Sequence, residues 1–298
     1  NMSGLGVLWN FSVSVPQDVG KGMIIYEDQA YFPLSYSLVA VNATNGSLIW
    51  NFTTDGGVGS GSAVVVDDLV LFGDSVGGNS GSNLFAVNKS TGVQIWNFSS
   101  AQETRTSPAV YNGVVYFSTL QNLGDENPFY AVNLTNGKQI WNRTYLDIYI
   151  NPVTIDHEMV FVGSIFGDFL IALNVTDGTT VWTNTDPTDA VPNAAVSDGE
   201  KVYFGSTDNK VYAANINTGI TDWTFTAWGD ISSDPALKDD ILVVGSGNKF
   251  YAINTTTGLE VWNYVVGSGV NSAPVITANG LLFFASQDKS LYALNITN

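Results

Sequence analysis

One spacing recurs along the whole chain: an Asn, a Gly four residues later, and a Trp four residues after that Gly. It appears as NATNGSLIW, NKSTGVQIW, NLTNGKQIW, NVTDGTTVW, NINTGITDW and NTTTGLEVW, ending at Trp50, Trp96, Trp141, Trp182, Trp223 and Trp262. A period of about 40 residues indicates a fold built from stacked copies of one supersecondary unit. This repeat constrains the fold more than any other feature of the sequence.

Each repeat contains four short runs of apolar or alternating residues, separated by turn residues. Such runs predict β-strands. Lys and Arg together number only ten, whereas Gly, Tyr and Phe are abundant, so strand and turn formers dominate the composition. We predict an all-β fold, a seven-bladed β-propeller with four-stranded antiparallel blades.

The seventh unit is divided between the two ends of the chain. The last residues, LYALNITN, lack the Gly and the Trp, whereas the first residues, NMSGLGVLWNF, supply Trp9. We predict a single domain over residues 1–298, in which the strand at residues 4–11 completes the blade formed by residues 268–298 and closes the ring. The alternative is that this strand pairs with a second copy, which gives self-assembly by strand exchange.

The motif Ala-Leu-Asn, followed by Thr-Gly and then Trp, resembles the repeat of the PQQ-like β-propellers, the family of the quinoprotein dehydrogenases and of BamB. The resemblance covers essentially the whole chain. It implies structural roles for the turn Gly residues, which tolerate positive φ, and for the docking Trp residues, which bury a large area. These residues are Gly46, Gly92, Gly137, Gly178, Gly219, Gly258, Trp9, Trp50, Trp96, Trp141, Trp182, Trp223 and Trp262.

The resemblance also raises the question of a cofactor. Quinoprotein enzymes of this family typically have eight blades, a catalytic Asp, a calcium ion and often adjacent cysteines. This chain has seven predicted blades and no Cys, and none of its residues matches the cofactor ligands position by position. We predict no PQQ and no catalytic residue, and the only potential Ca²⁺ ligands are carboxylates scattered over the loops.

Other chemistry is weakly supported. GDSVG, residues 73–77, has the nucleophile pattern Gly-X-Ser-X-Gly with Ser75 at its centre, but it runs into a Gly-rich loop where the pattern requires a helix. The single histidine, His157, lies in a predicted turn, and one His disfavours a zinc site. A net charge of −17 argues against nucleic acid and anionic membranes as partners, and no apolar run is long enough to span a membrane.

The loops that connect the blades are the better candidate for binding. Because successive strands run in opposite directions, these connections and the loops between second and third strands share one face. Trp228 is the one Trp outside the repeat; it either anchors an interface or packs on its own blade. The binding-face candidates are Glu103, Arg105, Asp125, Glu126, Tyr145, Asp147, Tyr149, Trp228 and Asp230.

Asn-X-Ser/Thr triplets occur more often than chance pairing predicts. Eight sequons lie at the turn before the Trp strand: Asn1, Asn42, Asn45, Asn88, Asn133, Asn174, Asn254 and Asn295. Four more directly follow a Trp on the outermost strand, and we call them the rim sequons: Asn10, Asn51, Asn97 and Asn142. An Asn can serve the turn without any sugar, but the turn does not require an Asn at the rim. We therefore predict a secreted protein that carries N-linked glycans.

The function that follows is a non-catalytic extracellular or cell-surface module, such as a subunit of a surface layer, adhesin or filament. Its partner is a protein or glycan on the connecting-loop face. The composition resembles that of extracellular archaeal proteins. Two alternatives stay open: an enzyme, as a degenerate quinoprotein or a carbohydrate-active propeller that uses loop acids, and a BamB-like assembly scaffold.

Overall fold

The structure is a computed structural model that describes residues 8–11, 22–58, 61–75, 82–100, 102–104, 107–119, 126–146, 153–164 and 167–296. Every regular element within these ranges is a β-strand, and no helix occurs in them. The described residues accordingly include no helix that could cross a membrane. The predicted all-β class is confirmed.

Seven antiparallel sheets follow one another along the chain; in six of them the strands pair in sequence order, and in the second two short strands pair with the same neighbour. The first blade contains β1 (Ile24–Tyr26), β2 (Gln29–Leu34), β3 (Ser37–Asn42) and β4 (Leu48–Thr53). The short β5 (Gly57–Val58) pairs with the second blade, which contains β6 (Val64–Val66), β7 (Leu69–Ser75), β8 (Ser82–Asn88) and β9 (Gln94–Ser100). The third blade contains β10 (Ala109–Tyr111), β11 (Val114–Ser118), β12 (Glu126–Asn133) and β13 (Gln139–Leu146).

The remaining blades repeat the pattern. The fourth contains β14 (Thr154–Asp156), β15 (Met159–Gly163), β16 (Leu170–Asn174) and β17 (Thr180–Asn184). The fifth contains β18 (Val196–Ser197), β19 (Lys201–Gly205), β20 (Lys210–Asn215) and β21 (Thr221–Thr226), and the sixth contains β22 (Ala236–Lys238), β23 (Ile241–Ser246), β24 (Lys249–Asn254) and β25 (Glu260–Val265). The seventh contains β26 (Val275–Ile276), β27 (Leu281–Ser286) and β28 (Ser290–Asn295). The seven-bladed β-propeller fold is thus confirmed.

The described part of the seventh blade has three strands. Residues 8–11 form no strand, and residues 4–7 of the proposed closing strand lie outside the described residues. Closure of the ring and its alternative, strand exchange, therefore stay predictions. The chain divides into two compact units, Asn1–Asn122 with Pro128–Asn142, and Leu123–Asn127 with Arg143–Asn298. The prediction of a single domain also stays a prediction.

The turn between the third and fourth strands is held by the Asn that opens the repeat. In the second blade, Oδ1 of Asn88 accepts hydrogen bonds from the N–H of Ser90 at 3.1 Å and of Thr91 at 3.0 Å. The same kind of hydrogen bond forms at Asn42, Asn133, Asn174, Asn215 and Asn254. Asn215 does not begin a sequon, so the turn itself selects Asn.

The Trp of one blade docks on the turn of the next blade. The Nε1–H of Trp50 donates to the carbonyl of Lys89 at 2.8 Å. Gly92, in the same turn, has φ of 67°, and a Cβ placed on it would lie 2.7 Å from the Trp50 ring. Further pairs are Trp96 with Leu134, Trp182 with Ile216, Trp223 with Thr255, and Trp9 with Ala43. Trp9 thus contacts the first blade as a fourth-strand Trp contacts its neighbour.

A β-bulge precedes this Trp. In the first blade Trp50 pairs with Ala40 while Leu48 pairs with Val41, which leaves Ile49 as the extra residue. The same shift follows Ala86, Ala172, Ala213 and Ala252. The bulge turns the residue before the Trp toward solvent, since Ile49 is exposed while Trp50 is buried.

The hydrophobic core lies between successive sheets. Tyr31 and Trp50 of the first blade belong to one cluster with Phe72 and Phe85 of the second. Phe72 and Phe85 stack at 5.5 Å between ring centroids, and Phe52 of the first blade meets Phe72 edge to face at 5.6 Å. These aromatic contacts join consecutive blades and supply much of the buried area.

Candidate functional site

The loop at residues 227–234, the Trp228 loop, joins β21 to β22 and is fixed by hydrogen bonds along its backbone. The N–H of Trp228 donates to the Tyr251 hydroxyl at 3.1 Å, and the N–H of Gly229 donates to Oγ of Ser246 at 3.0 Å. The Ser246 hydroxyl in turn donates to the carbonyl of Gly229 at 2.6 Å. The loop therefore has a defined conformation on top of the sixth blade.

Ile231 anchors the same loop in the core. Its side chain is fully buried, and its N–H donates to the carbonyl of Ser206 at 3.2 Å. Ile231 also forms an isolated antiparallel bridge with Ser246. A Cβ on Gly205 would lie 2.2 Å from Ile231, so the fifth blade has a Gly where the anchor is seated. Both ends of the loop are consequently held by blades five and six.

Trp228 stands out from this fixed base. Its side chain is 75% exposed, so most of the ring is in contact with solvent, and its role as an interface anchor stays a prediction. The ammonium of Lys249 lies 5.2 Å from the centroid of the Trp228 ring and 5.9 Å from that of Tyr251. Within the described residues Lys249 has no carboxylate in ion-pair distance, unlike Lys201, Lys210 and Lys238. The site therefore combines an open aromatic surface with a cation that is free to pair.

The neighbouring turn of the fifth blade is held by a carboxylate. Asp208 accepts hydrogen bonds from the Tyr212 hydroxyl and, at 3.0 Å each, from the N–H groups of Thr188 and Lys210. Burial alone would raise the pKa of Asp208, but these hydrogen bonds hold it below its usual range. Asp208 thus ties the loop that enters the fifth blade to the turn beside Trp228.

The other binding-face candidates have different positions. Asp230 is exposed in the Trp228 loop, and Glu103 is half-buried in the short described stretch 102–104. Tyr145 lies on β13, its hydroxyl donates to the carbonyl of Gly178 at 2.7 Å, and burial raises its pKa. Its hydroxyl thus serves a neighbouring turn. Arg105, Asp125, Asp147, Tyr149 and the side chain of Glu126 lie outside the described residues.

The sequons occupy two kinds of position. The turn Asn residues use Oδ1 for the backbone, and Asn254 also donates its Nδ2 to Asp240 at 3.2 Å. The rim sequons Asn10, Asn51, Asn97 and Asn142 are all exposed, and all belong to the first unit. In the second unit the corresponding residues are Thr183, Thr224 and Asn263, none of which begins a sequon. Asn1 lies outside the described residues.

The two residues weighed for catalysis, Ser75 and His157, lie on a strand and in a hairpin turn of different units. Ser75 ends β7, which pairs with β5, so the strand-to-helix turn of a nucleophile elbow is missing from the described part of this motif. His157 is in an exposed hairpin turn with φ of 48°, and its Nδ1 lies 3.0 Å from Oδ1 of Asp156. Asp74 is fully buried; its Oδ1 accepts the N–H of Asn83 at 2.5 Å, and burial raises its pKa.

The fold family raises the question of a calcium-dependent quinone. The described residues contain no group of three or more His, Cys, Asp or Glu side chains that could hold a metal ion. Calcium takes six to eight oxygen ligands, several of them carboxylates. The described residues therefore do not fit a calcium-dependent quinone site.

Lys249 and Tyr251 are the functional candidates that the sequence analysis missed. They lie at and after the loop GSGNK between the second and third strands of the sixth blade. That loop was expected to share a face with the blade connections, which was the available signal. The contact with Trp228 depends on the conformation of two loops and is invisible in the spacing.

The comparisons with known proteins agree with this architecture. The family model described as outer membrane protein assembly factor BamB matches residues 34–147, 86–227 and 218–298. A search of curated protein sequences finds no match.

Several solved structures share the fold. BamB from Moraxella catarrhalis is 18% identical, with a TM-score of 0.71, over 89% of this chain and 81% of that chain. A europium-containing methanol dehydrogenase is 13% identical, with a TM-score of 0.72, over 93% of this chain and 73% of that one. A quinohemoprotein alcohol dehydrogenase from Pseudomonas putida HK5 is 14% identical, with a TM-score of 0.76, over 97% of this chain and 66% of that one. At these identities the similarity shows the fold.

Proposed function

The chain belongs to the PQQ-like β-propeller family of the outer membrane protein assembly factor BamB, and on this premise we propose that it is a non-catalytic recognition module of the cell surface. Its fold hosts both enzymes and binding proteins, so the function rests on the site. The module is secreted, carries N-linked glycans on its first unit, and binds a protein or glycan partner through the Trp228 loop.

The exposure of Trp228 on a fixed loop carries this proposal. A Trp that is three-quarters exposed leaves a large apolar area in water, and burying it against a partner is favourable. Because the loop is already held by Tyr251 and Ser246, binding does not have to order its backbone. Trp is also the residue type most enriched at interface hot spots.

The exposure of the rim sequons supports secretion. The four rim Asn residues are exposed, so burial does not prevent the attachment of a sugar. All four are in the first unit, whereas the Trp228 loop is in the second.

Binding to whole cells tests the recognition role. Labelled protein is added to cells of the organism that makes it, and bound label is measured by cytometry. Trp228→Ala is expected to lower binding about tenfold or more, the effect of losing a hot-spot Trp. Leu259→Ala is the matched control, because Leu259 is a comparably exposed apolar residue of the second unit. Equal binding by wild type and Trp228→Ala refutes the proposed site.

Intact mass before and after removal of glycans tests secretion and glycosylation. Protein purified from its native cells is expected to lose mass, and Thr53→Ala, which removes the sequon at Asn51, is expected to lose one glycan. The size of the native particle, measured by light scattering, reports assembly into a layer or filament. A mass equal to that of the bare chain contradicts the glycoprotein part of the proposal.

A BamB-like assembly scaffold is the second candidate, because the family model of that factor matches most of the chain. A scaffold is expected to bind extended peptides, so binding of unfolded surface-protein segments rather than of intact cells favours it. An enzymatic role predicts different results. A quinoprotein is stabilised against heat by added PQQ and Ca²⁺, and a carbohydrate-active propeller cleaves polysaccharides.

A further inference from the structure

Each outer strand carries two exposed residues that flank its buried or half-buried Trp. In β4 these are Ile49 and Asn51, on either side of Trp50, and in β9 they are Ile95 and Asn97. Because side chains alternate along a strand, residues two apart share one side. Ile49 is 37% exposed and Ile95 is 51% exposed, so both place aliphatic carbon in water next to a rim sequon.

The residue before the Trp varies together with the sequon after it. The four repeats with a rim sequon have a large aliphatic residue there, in the pairs Leu8 and Asn10, Ile49 and Asn51, Ile95 and Asn97, and Ile140 and Asn142. The three strands without one have a smaller or charged residue, in the pairs Val181 and Thr183, Asp222 and Thr224, and Val261 and Asn263. All seven repeats of the sequence follow this pattern. The turn sequons show no such relation, because Asn174 and Asn254 precede Val181 and Val261.

Physical chemistry gives a reason for this relation. A large exposed aliphatic residue on an outermost strand favours association with other chains, because such a strand also has unpaired backbone groups. A sugar on Asn51 starts about 7 Å from Ile49, the rise of two strand residues. The C–H face of a pyranose ring is apolar, and resting it on Ile49 removes aliphatic area from water. The strands without a sequon have the shorter Val at this position or, in β21, Asp222, which lies 4.0 Å from the ammonium of Lys201.

We propose that the glycans at the rim sequons cover the aliphatic side chain two residues before them, and so seal the outer strands of the first unit. The proposal rests on the proposed function, because it needs a glycosylated protein. The rim glycans then pack against aliphatic side chains, in addition to hindering association by their size. The rim and turn sites differ in their side-chain hydrogen bonds: a turn Asn such as Asn88 accepts backbone N–H groups, whereas Asn97 at the rim bonds to the side chains of Asn83 and Gln94.

A double-mutant cycle at Ile49 and the Asn51 sequon tests the proposal. Within the described residues the Asn51 side chain has no hydrogen-bond partner, so changes there report the sugar. Thr53→Ala removes the glycan and keeps Asn51. In the Ile49 background this loss is expected to lower Tm by about 1–3 °C and to increase binding of a hydrophobic dye. In the Ile49→Thr background it is expected to change neither, and equal changes in both backgrounds overturn the proposal.

A gain of the sequon in the second unit provides an independent test. Val265→Thr creates Asn-Tyr-Thr at residues 263–265, two positions after the exposed Val261. The new glycan, verified by mass, is expected to lower dye binding, and Val261→Thr is expected to abolish that effect. A new glycan that leaves dye binding unchanged counts against the proposal.

Mass analysis separates this inference from the function on which it rests. If Asn51 carries a glycan and the cycle shows no coupling to Ile49, covering of the aliphatic residue is overturned while the glycoprotein stands. If no rim Asn carries a glycan in protein from native cells, the glycoprotein part of the proposed function is overturned as well.

Discussion

Two separate features require a Gly at position 92: the positive φ of its backbone and the closeness of the Trp50 ring. Its φ of 67° is costly for a residue with a side chain, and a Cβ would also collide with the ring of Trp50. Gly113 has a similar φ of 74°, but nothing lies within 4 Å of its Cβ position. Replacing Gly113 by Ala therefore measures the cost of a side chain at positive φ alone, whereas replacing Gly92 adds the collision with the Trp50 ring.

We expect Gly92→Ala to lower the free energy of unfolding by about 2–3 kcal/mol and Gly113→Ala by about 1 kcal/mol. The measurement is the urea midpoint of the unglycosylated protein. Equal losses for the two variants contradict a steric role for the Trp docked on the turn.

Single residues show where sequence analysis succeeds and where it stops. The turn Gly and docking Trp recur at fixed spacing, so their role is readable from the repeat. Lys249 and Tyr251 were missed because they meet Trp228 only after two loops, separated by about 20 residues, have taken their folded conformations. Tyr145 was placed on the binding face by its loop, yet a long side chain on a strand reaches the turn at Gly178.

At the scale of one element, the turn between third and fourth strands depends on a single side chain. Oδ1 of Asn88 accepts two backbone N–H groups and the hydroxyl of Thr91. We expect Asn88→Ala to lower the free energy of unfolding by about 1 kcal/mol, as for loss of a comparable helix cap. In the same unglycosylated protein, Asn51→Ala is expected to stay within about 0.5 kcal/mol of wild type, because Asn51 is exposed. A loss at Asn51 as large as that at Asn88 refutes the distinction between turn and rim.

The four strands of each blade were predictable because turn residues mark their ends and apolar runs mark their cores. The bulge before the Trp and the extra strand β5 were not predicted. A bulge changes the pairing by one residue and leaves the apolar pattern almost intact, and a two-residue strand carries too few side chains to show a period.

The whole molecule carries 27 acidic and ten basic residues, so lowering the pH has two opposite effects on its stability. Protonation relieves repulsion across the chain, which favours the folded state. It also removes hydrogen bonds to ionised carboxylates such as Asp208 and Asp288, whose pKa values hydrogen bonding holds below their usual range. The repulsion across the chain is nearly the same in wild type and in a variant that lacks one hydrogen bond. The difference in stability between the two proteins therefore reports that hydrogen bond alone.

Tyr212→Phe keeps the ring and removes the hydroxyl that donates to Asp208. The depressed pKa of Asp208 contributes stability that is present above the unfolded value of about 4 and lost as pH falls through the folded value. We therefore expect wild type to exceed Tyr212→Phe in stability by about 1.5–3 kcal/mol at pH 7, and the gap to narrow below about pH 4.

Urea midpoints measured from pH 7 to pH 2.5 check this expectation. Tyr264→Phe, a substitution on the exposed outer strand β25, is the control and is expected to show no such gap. A gap for Tyr212→Phe that widens as pH falls has the wrong sign and contradicts the assignment of the hydroxyl to the carboxylate.

The indole of one blade binds a main-chain carbonyl of the next, and every amino acid offers the same carbonyl. This hydrogen bond therefore does not depend on the side chain of the accepting residue, and it requires only a Gly nearby in the same turn. Recombination between repeats of one gene therefore preserves this contact at every new junction, and only the side-chain core between the sheets has to fit again. By the same reasoning, a repeat that carries a foreign loop can replace a natural one if its Trp, its Gly and its core side chains are kept.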